Sequence, residues 1–146
     1  SVGLLPLQHL FQLTDDPLFQ PGNVALADAK GIGGLVGYNK GEIQHCTVKN
    51  STVTARYQSV GGVVGTNEGS IADCAAAHNA VTLKTSAATM GYTGGFVGSN
   101  NRNGSIAQCY VEGGTAAYEG AKDKGAAIGG FVGASAASSS KIQACY

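Results

Sequence analysis

Gly33-Gly34-Leu35-Val36-Gly37, followed by Asn39, Gly41, Ile43 and Cys46, decides the fold of this chain, because it recurs. The second copy reads Gly61-Gly62-Val63-Val64-Gly65, then Asn67, Gly69, Ile71 and Cys74. The third reads Gly94-Gly95-Phe96-Val97-Gly98, then Asn100, Gly104, Ile106 and Cys109. The fourth reads Gly129-Gly130-Phe131-Val132-Gly133, then Ile142 and Cys145. The first glycines of successive copies are 28, 33 and 35 residues apart, while Ile and Cys are always three apart. The gap from the last glycine of the block to the Ile runs six, six, eight and nine. Fixed blocks with elastic gaps predict stacked strands joined by loops. No 3.6-residue period runs through any copy, and the blocks are short, apolar and bounded by Gly and Asn.

Each copy holds three strand candidates. The first is the glycine block. The second is Cys46-Thr47-Val48, with Cys74-Ala75-Ala76 and Cys109-Tyr110-Val111 as counterparts. The third is Thr52-Val53-Thr54-Ala55, matched by Ala80-Val81-Thr82-Leu83 and Thr115-Ala116-Ala117-Tyr118. One strand alone buries no face, but copies stacked about 4.8 Å apart bury a continuous core. The expected fold is all-β, a parallel β-helix (β-solenoid) of about four coils. Residues 31–146 form the repeats, and residues 1–30 an N-terminal capping or docking segment. Gly41, Gly69 and Gly104 are expected at corners of positive φ. Asn39, Asn67 and Asn100 are expected to stack as an amide ladder.

Composition narrows the function classes. The 146 residues carry nine Lys+Arg and nine Asp+Glu, a net charge of zero. A nucleic-acid binder needs a basic excess, so no nucleic-acid partner is expected. Charged residues are 12% and hydrophobic residues 43%, which does not fit a disordered chain. No run reaches the length of a membrane span. The chain opens at Ser1 without a basic stretch and stops at Cys145-Tyr146, mid-repeat, so it reads as a processed or cut form.

Cys46, Cys74, Cys109 and Cys145 fall at one repeat position. A tetrahedral metal site needs convergent ligands, and a stack spreads them along a line. A column of buried, reduced thiols is the expected arrangement. His45 precedes Cys46, but neighbours on a strand face opposite ways, so no Cys–His dyad is expected. Glu42 and Glu68 are the nearest approach to an acid–base pair, and the later copies place Ser105 and Lys141 there. No catalytic, cofactor-binding or metal-ligating residue, and no cofactor, is assigned. Tyr38, Tyr57, Tyr92, Tyr110 and Tyr118 are candidate sugar platforms without an evident row. Of the rows Leu35/Val63/Phe96/Phe131 and Val36/Val64/Val97/Val132, one is expected to line the core. The other would be an outward stripe covered by Leu4, Leu5, Leu7, Leu10, Phe11 and Leu13. Pro6 confines any N-terminal strand to an edge.

The stretches 33–43 and 61–71, with the Ile-x-x-Cys that follows, resemble the GLUG repeat. That repeat occurs in large bacterial surface and secreted proteins, among them adhesins and the non-catalytic flanks of IgA-cleaving metallopeptidases. The resemblance implies an extracellular or cell-surface location and a structural or adhesive role without enzymatic activity. A host or matrix protein or a glycan is the implied partner. The two alternatives are a filament subunit associating through its solenoid ends and a carbohydrate-active or carbohydrate-binding β-helix.

Overall fold

A computed structural model describes residues 2–7, 10–12, 23–26, 31–56, 58–85, 91–120, 126–135 and 137–146. They form strands and turns with no helix. The first strands are β1 (Val2–Leu7), β2 (Leu10–Gln12), β3 (Asn23–Leu26) and β4 (Gly31–Gly33). The next coil carries β5 (Val36–Asn39), β6 (Glu42–Gln44), β7 (Thr47–Lys49), β8 (Thr52–Ala55) and β9 (Ser59–Gly61). A third carries β10 (Val64–Asn67), β11 (Ser70–Ala72), β12 (Ala75–Ala77), β13 (Ala80–Thr85) and β14 (Gly91–Gly94). A fourth carries β15 (Val97–Asn100), β16 (Ser105–Ala107), β17 (Tyr110–Glu112), β18 (Thr115–Gly120) and β19 (Ala126–Gly129). β20 (Val132–Ala134) and β21 (Lys141–Gln143) begin another.

Corresponding strands pair in parallel into five sheets along one axis. Sheet 1 runs β1-β5-β10-β15-β20 and sheet 2 runs β2-β6-β11-β16-β21. Sheet 3 is β7-β12-β17, sheet 4 is β3-β8-β13-β18 and sheet 5 is β4-β9-β14-β19. The protein is a parallel β-solenoid. The repeat positions meet in register: Val36, Val64, Val97 and Val132 in one column, and Ile43, Ile71, Ile106 and Ile142 in another. Each complete coil has five strands rather than the three expected. The extra breaks come from left-handed backbone at residues that give no glycine signal. His45, Asp73, Gln108 and Ala144 have φ of 55°, 54°, 55° and 51° at the corner before the Cys. Asn50 and His78 do the same one strand later, at 54° and 55°.

Gly41, Gly69 and Gly104 are not at positive φ, contrary to expectation. Their column is crowded instead. A Cβ on Gly69 would lie 2.9 Å from the Gly41 nitrogen, and one on Gly104 would lie 2.6 Å from the Asn67 carbonyl oxygen. These glycines let neighbouring coils approach.

The two apolar rows are also corrected. Leu35, Val63 and Phe96 are buried, and so are Val36, Val64 and Val97. Alternation fails because each pair sits where the chain bends out of sheet 5 into sheet 1. Leu35 N and Val36 N both donate to Val63 O, at 3.0 and 3.1 Å. Val63 N and Val64 N share Phe96 O, and Phe96 N and Val97 N share Phe131 O. Two successive amides aimed one way leave both side chains on the inner side, as in a β-bulge. Among the described residues there is therefore no outward stripe at these rows for a segment to cover. The N-terminal segment instead adds strands to the sheets. Val2 pairs with Val36, Phe11 with Ile43 and Val24 with Val53. Pro6 lies on β1, an edge strand, as its missing amide requires.

The interior has two apolar clusters. The larger gathers Leu35, Val36, Ile43, Cys46 and Val48 with their repeats. The smaller holds Ile32, Val53, Ala55, Val60, Val81 and Leu83. Between them the backbone of sheet 1 touches that of sheet 5. A Cβ on Gly98 would stand 2.7 Å from Gly65 O and 2.8 Å from both Val60 N and Val60 O. One on Gly133 would stand 2.8 Å from Thr93 N and O. Facing sheets ordinarily lie about 10 Å apart. Glycine removes the side chains that would hold these two at that spacing.

Candidate functional site

Three columns carry the chemistry of the repeat, and each is held by the parallel register. The first is the amide ladder. Asn39 Nδ2 donates to Asn67 Oδ1 at 2.9 Å, and Asn67 Nδ2 donates to Asn100 Oδ1 at 2.9 Å. Gly41 N and Gly69 N donate to the Oδ1 of the Asn two residues before, at 3.0 and 3.2 Å. All three amides are fully buried. The ladder stops at Asn100, whose Nδ2 donates to Gly104 O at 3.1 Å. The fourth copy supplies no Asn there.

The second column is the thiols. Cys46, Cys74 and Cys109 are buried and Cys145 is half-buried, all of them outside any disulfide among the described residues. Each Sγ donates to the carbonyl two residues earlier: Gln44, Ala72, Ala107 and Gln143, at 3.1, 3.1, 3.2 and 3.1 Å. Hydrogen bonding to the Cys109 and Cys46 thiols, then burial, push the Cys74 thiol up, well above the ordinary range. Burial pushes Cys145 up as well. A thiolate is the nucleophile and metal ligand, so the raised Cys74 and Cys145 thiols suit packing rather than reaction. No group of three or more metal-ligating side chains occurs among the described residues. His45 occupies the left-handed corner while Cys46 points into the core, so the two form no dyad.

The third column is charged and outward. Register sets Glu42 beside Ser70, Ser70 beside Ser105 and Ser105 beside Lys141. Glu68 lies on the turn after β10 and hydrogen-bonds the Tyr38 phenol, with the Arg102 charge nearby. Burial first, then that hydrogen bond and the carboxylate charge, push the Tyr38 phenol up to about 12. Lys40 Nζ sits 5.4 Å from the centre of the Tyr38 ring. Glu68 joins Tyr38 and Lys40 only through the stacking of coils, so no single copy of the repeat displays this cluster.

The other tyrosines do not form a platform. Tyr38, Tyr92, Tyr110 and Tyr118 lie on β5, β14, β17 and β18, four different sheets. Tyr110 stacks on Tyr146 at 5.5 Å, and Tyr118 packs against the smaller core cluster. Tyr57 lies outside the described residues. One regular surface escaped the sequence reading. The outward positions of sheet 4 begin with two ranks, Thr52, Ala80, Thr115 and Thr54, Thr82, Ala117, facing away from the buried Val53 and Val81, and continue with exposed Lys84 and Glu119.

Among the described residues no helix is long and apolar enough to cross a membrane. Comparison with curated proteins and with solved structures gave no match. The model of the GLUG motif matches twice, at residues 28–54 and 57–81. These spans are successive coils, each running from the end of sheet 5 around to sheet 4. The later copies repeat the same Gly, Val, Ile and Cys columns in register, so the chain carries two GLUG motifs followed by coils of the same pattern.

Proposed function

We propose that this chain is a non-catalytic structural or adhesive β-solenoid module of a bacterial cell-surface or secreted protein. One observation carries the reading. The columns that repeat in every copy face inward, namely Ile, Cys and Val, with Asn in the first three, and the outward columns of sheet 2 vary along the stack. Glu42 gives way to Ser70, Ser105 and Lys141, and His45 gives way to Asp73, Gln108 and Ala144. A repeat maintained for a reaction would keep its reactive groups outward, whereas this one keeps the groups that make coils stack. The partner class is a host or matrix protein or a glycan, met outside the cell. The test is binding of the purified chain to arrays of matrix proteins and glycans, with hydrolysis assays beside it. Saturable binding without turnover supports the reading. Turnover of a polysaccharide or peptide that disappears in Glu42→Gln or Glu68→Gln overturns it.

A second reading, a filament subunit, is favoured by the apolar side chains of the last coils. Ile128, Ile142 and Tyr146 are 52%, 41% and 82% exposed. Light scattering across a concentration series separates the two: a monomer at all concentrations removes the filament.

A further inference from the structure

We propose that the Thr/Ala face of sheet 4 binds the surface of ice. The face is built by register. Thr52, Ala80 and Thr115 form one rank and Thr54, Thr82 and Ala117 the next. These pairings run without a shift, whereas β1 and β5 show one. Thr52, Ala80 and Thr115 are exposed, and Thr54, Thr82 and Ala117 are half-exposed. The strands set the spacing at about 4.8 Å along the axis and about 6.6 Å between ranks. Thr is stiff about χ1, so its hydroxyl and methyl hold fixed positions on such a grid.

The occupant follows from what the face contains and lacks. No charged side chain stands in either rank. The nearest ions stand one rank further on: exposed Arg56 directly after β8, and Lys84 and Glu119, which pair with each other at 3.4 Å. Sheets 2 and 3 carry charge within their corresponding strands, with Glu42 and Lys141 on sheet 2 and Lys49 and Glu112 on sheet 3. A neutral face matches a neutral partner, since an ionic ligand would lose its water and gain no counter-charge. Small hydroxyls and methyls repeating in two directions fit a lattice rather than one molecule. Crystalline polysaccharides are neutral lattices too, but they are gripped by aromatic rings, and none stands in these ranks. Ice is the neutral lattice whose surface oxygens donate and accept hydrogen bonds and repeat on this scale. A rigid array holds its first waters without further ordering cost, which is the benefit of preorganisation.

Ice-recrystallisation inhibition and thermal hysteresis of the full chain provide the test. Circular dichroism and melting curves establish that each variant is folded. The native chain is expected to arrest grain growth and show a hysteresis gap. Thr82→Lys, which puts a long cation in the middle of the face, should abolish both. Gln44→Lys, outward on sheet 2, should leave both intact. If Thr82→Lys does not fold, Thr115→Lys on the exposed rank takes its place. A folded native chain without either activity overturns the proposal. So does a folded Thr82→Lys or Thr115→Lys chain that keeps full activity, and so does binding to cellulose or chitin through this face with no effect on ice.

Discussion

Thr93 offers the sharpest test of how this interior is packed. It sits on β14 in the column Ile32, Val60, Thr93, Ile128, where Ile32 and Val60 belong to the smaller apolar cluster. The residue is fully buried and, among the described residues, its Oγ1 has no hydrogen-bond partner. An unpaired buried hydroxyl costs about 1–3 kcal/mol, because unfolding returns it to water. Valine has the same shape with a methyl in place of the hydroxyl. Thr93→Val should therefore stabilise the chain by about 1–3 kcal/mol, the size of that penalty. For a chain near 150 residues each kcal/mol raises Tm by roughly 2–4 °C. Urea titration followed by circular dichroism measures the shift in midpoint, and a constant slope shows that the unfolded state is unchanged. Thr93→Ser keeps the hydroxyl, removes the methyl and should destabilise. If Thr93→Val lowers the midpoint, the hydroxyl has a partner and its burial carries no such penalty.

Asn67→Ala takes the middle from the amide ladder. Asn39 Nδ2, Asn100 Oδ1 and Gly69 N each lose a partner. Asn39 Nδ2 keeps the Gly41 and Ser70 carbonyls, so the loss expected in urea titration is about 1–3 kcal/mol, the cost of the one buried group, Asn100 Oδ1, left unpaired. Gly98→Ala brings a Cβ to within 2.7–2.8 Å of three backbone atoms and should unfold or severely destabilise the chain. Gly130→Ala meets nothing within 4 Å and should melt within a few degrees of the parent. The Tyr38 phenol, pushed up to about 12, favours the folded state while it is neutral. That contribution is present below the ordinary phenol pKa of about 10 and is lost as pH rises from there toward 12. Glu68→Gln removes the carboxylate charge and should lower the Tyr38 titration midpoint, read by NMR of the ring carbons.

The stacking axis was legible because its columns are made of residues with few substitutes. Ile43, Cys46 and Asn39 recur at fixed spacing since each must meet its own copy in the coil above. The ladder was foreseeable for the same reason, as only a side-chain amide both donates and accepts along a column. The turns were not legible. Left-handed corners at His45, Gln108 and Ala144 carry no glycine to announce them, so two strands per coil went uncounted. Leu35 and Val36 were assigned to opposite faces because alternation was assumed through a bend, where shared carbonyls suspend it. The strands of residues 2–26 escaped because the register shift on β1 between Val2 and Pro6 breaks the repeat's spacing. The Thr ranks of sheet 4 were present in the letters Thr52-Val53-Thr54. Their meaning as a surface depended on the register with Thr82 and Thr115, which no single copy contains.

The glycine contacts between sheets 1 and 5 give the molecule an internal web. A hollow tube pressed from the side fails by flattening, because its opposite walls are free to approach. Here the two walls already touch, backbone on backbone at Gly98 and Gly133, and a cell lies to either side. The section is that of a two-cell box beam, in which a crushing load across the web meets peptide planes before it meets side chains. Loop insertions, such as the longer gap before Ile142, hang from the outer walls and leave the web untouched. A coil can therefore lengthen its surface without softening the beam, and the load it bears sideways is set by its glycines.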